Sequence, residues 1–219
     1  MRVFLSTPSS GMVRRESVYS AIQATQGQHE IHLCVTEGFL EHAFNKAWAA
    51  ALTEARQGKV DYFAMLHSDQ ASAAGWLDTL IEDAEQTGAA VVGTVSLIKD
   101  GSGETSTALE TDDPWKPRKL TLDDLADMPA VFSRDDLLLN TGCFVADLRR
   151  SEWTDPVPMT FGCESRIVWC DVQQQYVAQL IGEDWRFSRE ARRRGLKLAC
   201  SQRVGTTHFG SHVWRFDPA

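Results

Sequence analysis

The first half of this chain alternates short apolar runs with longer amphipathic ones, and no other feature limits its fold so strongly. Val3-Phe4-Leu5, cut off by the polar "STPSSG", reads as a strand, and "RRESVYSAIQAT" then places Val18 and Ile22 at helical spacing. "HEIHLCVTEG" is a second strand, closed by Gly38. "EHAFNKAWAAALTEARQG" predicts an Ala-rich helix with Phe44, Trp48 and Leu52 on its apolar face and Gly58 as its stop. "YFAML", "AGWLDTLIEDAEQTG" and "AAVVGTVSLI" continue as strand, helix and strand. Such alternation predicts an α/β fold, with a mainly parallel sheet and helices on both faces.

With 219 residues and no linker-like stretch, the chain is expected to form a single domain over residues 1–219. Its 43% hydrophobic and 24% charged residues supply enough apolar material for a full core. From Lys99 to about Val131 the periodicity fails. "KDGSGETSTALETDDPWKPRK" mixes Gly, Pro and dispersed charge, so residues 99–131 are expected to form a long, mobile surface excursion. It would be either a cover over a site or a loop without function. "LLLNTGCFVADLRR" resumes as an apolar strand, and "GEDWRFSREARRRG" reads as a helix ending at Gly195. "LKLACSQRVGTTHFGSHVW" reads as a last strand with a polar, histidine-bearing tail.

The longest apolar runs fall far short of the roughly 20 residues that cross a bilayer. "MRVFL" is too short for the apolar part of a signal peptide, so no membrane span and a cytoplasmic location are expected. A net charge of −8 gives no overall attraction to nucleic acid or anionic membrane. The 5 cysteines include no CxxC pair, which argues against a disulfide framework or a zinc knuckle.

In a parallel α/β sheet, ligands bind beyond the carboxyl ends of the strands. "DYFAMLHSDQ" ends its apolar strand on His67-Ser68-Asp69, and Thr7-Pro8-Ser9-Ser10 follow the first strand. Both clusters are candidates for lining one crevice, although an aspartate there equally suits the cap of the following helix. His208 and His212 lie in "TTHFGSHVW". An imidazole and an aspartate meeting in space suit Mn²⁺ or Mg²⁺ once a diphosphate completes the shell. Glu183-Asp184 open a helix, where acids complement the helix dipole or, within reach of a hydroxyl, act as a general base. Arg186, Arg189, Arg192, Arg193 and Arg194 surround that helix, as a solvated face or as a polyanion-binding patch.

Taken in order, these segments resemble the GT-A glycosyltransferases, especially the inverting, family-2-like branch that uses nucleotide-diphosphate sugars. "VFLSTPSSG" looks like the family's Pro-containing loop after the first strand, and "FNKAWAAAL" like its Asn-bearing helix. "LHSDQASAAGWLD" is similar to the DXD-type triplet with its "GWL" helix start. "LNTGCFVADLRR" resembles the segment on the sugar and acceptor side, and "VGTTHFG" the closing histidine. The most specific match is "GEDWRFSREARRRGLKLAC", which looks like the family's Glu-Asp helix. The resemblance runs from Val3 to about Trp214.

What the resemblance implies is a GT-A, Rossmann-like fold and a role for each matching residue. Asp69 and His208 would hold Mn²⁺ or Mg²⁺. Asp184 would deprotonate the acceptor hydroxyl, with Glu183 beside it facing sugar or acceptor. Thr7, Pro8, Ser9 and Asn45 would line the nucleotide pocket together with His67 and Ser68, while Thr141 and Gly142 would sit beside the sugar. His67 departs from the pattern, standing where the triplet has its first acid; its expected contact is the metal or a ribose hydroxyl. The activity implied is sugar transfer from a UDP-linked donor to an acceptor hydroxyl with inversion. The acceptor would be a saccharide or another polymer, a modified nucleic-acid base included. The alternatives are a non-catalytic nucleotide-sugar-binding or structural protein of the same fold, and a nucleotidyltransferase. "STPSSGMVRR" counts against the last, since it has only Gly11 and two arginines where a Gly-rich, basic loop is usual.

Overall fold

The computed structural model describes residues 1–9, 13–210 and 212–218, so Ser10 and Gly11 lie outside the described residues. In chain order the first elements are β1 (Arg2–Ser9), α1 (Arg15–Ala24), β2 (Glu30–Glu37), α2 (Leu40–Arg56) and β3 (Tyr62–Leu66). β4 (Gln70–Ser72), α3 (Trp76–Thr87), β5 (Val91–Thr94), β6 (Glu104–Leu109), β7 (Arg118–Thr121) and α4 (Leu122–Ala126) follow. Next come β8 (Val131–Phe132), β9 (Leu137–Leu138), β10 (Cys143–Asp147), β11 (Glu164–Cys170) and β12 (Gln175–Ile181). The chain closes with α5 (Glu183–Arg193), β13 (Leu198–Ser201), β14 (Thr206–Phe209) and β15 (Val213–Phe216). No helix among the described residues is long and apolar enough to cross a membrane.

A seven-stranded sheet in the order β2-β1-β3-β10-β5-β13-β8 forms the centre. β2, β1 and β3 are parallel, as are β5 and β13. β10 runs antiparallel to both β3 and β5, and β8 runs antiparallel to β13. The sheet is therefore mixed, where the strand-helix alternation predicted a mainly parallel one. The reason lies in how the chain arrives: it returns from the 99–131 segment at the carboxyl end of β3, so β10 can only run back between its neighbours.

Strand alternation sends Val3, Leu5, Tyr62, Ala64, Leu66 and Val145 to the face covered by α1 and α3. It sends Phe4, Phe63, Met65, Phe144 and Ala146 to the face covered by α2 and α5. The second face is built on aromatic rings. Phe161 and Phe187 stack at 4.5 Å, and Trp48 meets Phe63, Trp153 and Phe187 edge-on at 5.1, 5.2 and 5.9 Å. α5 is held to the sheet through Phe187, so this cluster sets where the helix's first residues sit. α2 and α5 stop where glycine takes the left-handed conformation, at Gly58 (φ 67°) and Gly195 (φ 77°).

Several expectations change. In α1 the buried face is Ser17, Ser20, Ala21 and Ala24, while Val18 and Ile22 are exposed. Hydroxyls win because Ser17 and Ser20 donate to the backbone carbonyls of Ser68 and Ser72, which no aliphatic side chain could satisfy. The 99–131 segment is no loose excursion: β6 pairs with β7 and β9, and Leu109, Leu120 and Leu125 enter the core. Three of the five arginines at α5 are taken up by contacts inside the protein, while Arg193 faces solvent. Arg189 and Arg192 clasp Glu110 of this segment, and Arg194 donates to Glu190 and to the carbonyls of Glu152 and Val157. The histidine-bearing tail is a hairpin, β14–β15, whose first strand pairs with β4. The exposed β11–β12 hairpin carried no sequence expectation at all. All five cysteines are free.

Phe187→Ala should cost about 3–5 kcal/mol, the usual range for emptying a buried aromatic site, measured by denaturant unfolding.

Candidate active site

The carboxyl ends of β1, β3 and β5, the amino end of β10 and the first turn of α5 lie along one edge of the sheet. Register places them together: Cys143 faces Leu66, and the His67 N–H donates to the Gly142 carbonyl at 2.8 Å. The chain comes so close here that a Cβ on Gly142 would run into Gln70 Nε2 and lie 2.8 Å from Asn140 Oδ1. Glycine at 142 is thus a condition for bringing the two strand ends together.

Asp69 stands just past the end of β3 and is not a helix cap, because α3 begins at Trp76 behind Gly75 with no side-chain cap. Its carboxylate meets the Lys99 ammonium and lies 3.7 Å from His208 Nε2. Two backbone contacts fix that encounter: the Phe209 N–H donates to the Asp69 carbonyl at 2.8 Å, and His208 is the register partner of Gln70. His208 Nδ1 sits 2.9 Å from the Leu97 carbonyl, which fixes the ring with Nδ1 as donor and leaves Nε2 turned toward Asp69. Burial alone would raise the Asp69 carboxyl. The nearby His208 ring and the Lys99 ammonium outweigh it and hold the group well below the usual carboxylate range.

A carboxylate oxygen and an imidazole nitrogen 3.7 Å apart are donor types that suit a shared Mn²⁺ or Mg²⁺. Among the described residues no group of three or more His, Cys, Asp or Glu side chains gathers for a metal. Asp69 and His208 would hold such an ion as a protein pair whose remaining ligands come from elsewhere, in place of the Lys99 ammonium, which contacts the same Asp69 oxygen. His67 lines a cavity of about 160 Å³ together with Pro8, Ser9, Gly38, Phe44 and Ser68. Its ring packs on Phe44 at 4.8 Å, and its buried Nε2 has no hydrogen-bond partner. Burial pushes His67 down to about 4, so the imidazole is neutral at pH 7.

Asp184, at the start of α5, does not cap its own helix. It accepts from the Thr141 N–H at 3.2 Å, from the Thr141 hydroxyl, and from the Asn140 amide at 3.2 Å. Burial raises its carboxyl, the Glu183 carboxylate raises it further, and the Thr141 and Asn140 bonds only partly offset this, leaving it at about 7. Glu183 lies 3.6 Å from the Cys163 thiol.

Two expected site residues have other work, and a third is buried. The Asn45 carboxamide is spent on the Phe161 backbone, donating to its carbonyl and accepting from its N–H, both at 2.9 Å. It holds the loop over the aromatic cluster and is absent from the lining of the cavity. Thr141 is fully buried and orients Asp184, so it reaches no sugar directly. Thr7 is buried as well, behind the Pro8 and Ser9 that line the cavity. Lys99 and Asn140 carried no sequence expectation. Lys99 follows the carboxyl end of β5, so the strand-end rule that picked out Asp69 applied there too.

No family model matches the sequence, and no curated protein is similar to it at a significant level. The crystal structure of A197 from STIV is similar in three dimensions, with a TM-score of 0.58 at 14% identity. The match covers 96% of this chain and 86% of that one. The likeness is one of fold. At this identity it carries no statement about chemistry.

Gly142→Ala should destabilise the protein by about 1–3 kcal/mol through overpacking against Gln70 and Asn140, read as a lowered Tm. Thr141→Val removes the hydroxyl that holds down the Asp184 carboxyl, so its titration, followed by carboxyl ¹³C NMR, should move upward from about 7.

Proposed function

We propose that this chain is a glycosyltransferase that moves a sugar from a UDP-linked donor to an acceptor hydroxyl with inversion. The observation that carries the reading is the meeting of Asp69 with His208 Nε2, 3.7 Å apart, on the sheet edge that also bears Asp184. Two carboxyl groups on that edge are driven in opposite directions, Asp69 kept ionised and Asp184 raised toward neutrality. That contrast suits one binding group and one proton acceptor.

In this reading the nucleoside enters the cavity between Pro8, Ser9 and Phe44, and the neutral His67 accepts a hydrogen bond from a ribose hydroxyl. The cavity of about 160 Å³ takes only the inner end of the donor, and the diphosphate and sugar extend along the strand edge past Asp69. A divalent ion held by Asp69 and His208 would neutralise charge on the leaving diphosphate. The Lys99 ammonium, already beside Asp69, supplies a second positive charge to the same phosphates. The acceptor oxygen attacks the anomeric carbon from the face opposite the phosphate. The carbon–oxygen bond to the diphosphate breaks with its electron pair leaving on phosphate, and the acceptor proton passes to Asp184. Thr141 and Asn140 keep that carboxylate aimed while Glu183 and burial keep it basic. The acceptor is a saccharide or other polymer bearing a free hydroxyl.

Incubation with nucleotide sugars, with and without Mn²⁺, should release nucleoside diphosphate; an inert protein releases none. Asp69→Asn should fold normally and lose Mn²⁺-dependent nucleotide binding in calorimetry, and unchanged binding would remove Asp69 from the site. Asp184→Asn should keep donor binding while turnover falls by about 10²–10⁴, the usual worth of a general base. Because the base works deprotonated and its carboxyl lies at about 7, kcat should climb as pH rises through neutrality. A profile already flat from pH 5 upward contradicts the role.

A further inference from the structure

β14 has two faces, and the donor-side chemistry uses only one. His208 points toward Asp69, while Thr207 and Phe209 point the other way, into a cleft of about 690 Å³ between α1 and the β4-β14-β15 sheet. The cleft lies in the size range of small-molecule sites, about 300–1,000 Å³. Its walls are complementary in kind. From α1 come Arg15, Glu16, Tyr19 and Gln23; from the sheet come Thr207, Phe209 and Arg215. Thr207 and Arg215 are register partners and so share this face.

These groups are underused by the fold. Among the described residues Arg215 makes no ion pair, and the largely exposed Arg15 pairs only with its half-buried neighbour Glu16, a contact worth little in water. The Tyr19 ring is 64% exposed, and Val18 and Ile22 beside it also face outward. α1 spends its serines on the core and turns Arg15, Tyr19 and Gln23 toward this side. Two guanidinium groups recognise a carboxylate or phosphate. Two aromatic faces take the apolar side of a ring, and an amide with a hydroxyl matches ring hydroxyls.

We infer that this cleft is a second binding site, separate from the donor pocket, for an anionic sugar: a pyranose-sized ring bearing a carboxylate or a phosphate. It needs neither metal nor nucleotide, so it stands or falls apart from the transferase reading. The test is calorimetric titration of the full chain, free of metal and nucleotide, with D-glucuronate, D-glucose 6-phosphate, D-glucose and inorganic phosphate.

At least one anionic sugar should bind, with glucose and inorganic phosphate each at least tenfold weaker. Arg215→Gln and Tyr19→Ala should each weaken that binding at least tenfold, and Asp69→Asn should leave it unchanged. Absence of binding by both anionic sugars overturns the proposal, as does equal binding of glucose. Equal binding of inorganic phosphate reduces the cleft to a plain anion site and refutes the sugar class. Binding that survives Arg215→Gln, or is lost in Asp69→Asn, places the ligand elsewhere and is equally fatal.

Discussion

The whole site depends on β10 entering the sheet antiparallel between β3 and β5. A parallel strand there would deliver its carboxyl end to this edge. The antiparallel one delivers its approach segment instead, Asn140-Thr141-Gly142, directly against His67. That segment is what Asp184 leans on, and Gly142 permits the contact because nothing larger fits between Gln70 and Asn140. The aromatic cluster then completes the arrangement. Phe187, stacked on Phe161, fixes α5 on the sheet, so the first turn of the helix has one place to go.

The electrostatics follow from that geometry. Asp69 and Asp184 are both half-buried acids on one edge, yet their surroundings separate them. Asp69 faces a lysine and a histidine across a short gap, so its charge is compensated. Asp184 faces neutral donors and the like charge of Glu183, so its ionised form is disfavoured. The fold produces two carboxyl groups with opposite tendencies by choosing what each one meets. Opposite them, across β14, the cleft beneath α1 holds Arg15 and Arg215, the first paired with Glu16, in a chain whose net charge is −8.

Periodicity was a good guide where burial was one-sided and apolar. β1, β3, α2, α3 and α5 fall close to where the apolar spacing put them, because a strand or helix facing a core repeats its contacts regularly. It failed where polar groups carry the packing. α1 buries serines since carbonyls near residues 68 and 72 needed donors, and a hydropathy pattern cannot register that demand. The 99–131 segment read as loose because its apolar residues are sparse. Leu109, Leu120 and Leu125 reach the core only through partners distant in sequence, and Arg189 and Arg192 seal it through Glu110. The site was legible in part: strand ends located Asp69, Pro8 and Ser9, whereas Lys99 was hidden by the irregular stretch it opens.

From the sequence alone came an α/β chain, its strand ends, and a short set of acids and histidines placed where ligands bind. Those are local properties, set by side-chain spacing and by where apolar runs stop. Which of the residues meet was decided by the tertiary structure. Asp69 and His208 are separated by most of the chain and come together because β14 pairs with β4. Asn45 and Thr141, by contrast, were drawn into holding a loop and a carboxylate. Long-range register has no signature in local composition, since hydrogen bonds between strands involve backbone atoms that every residue carries.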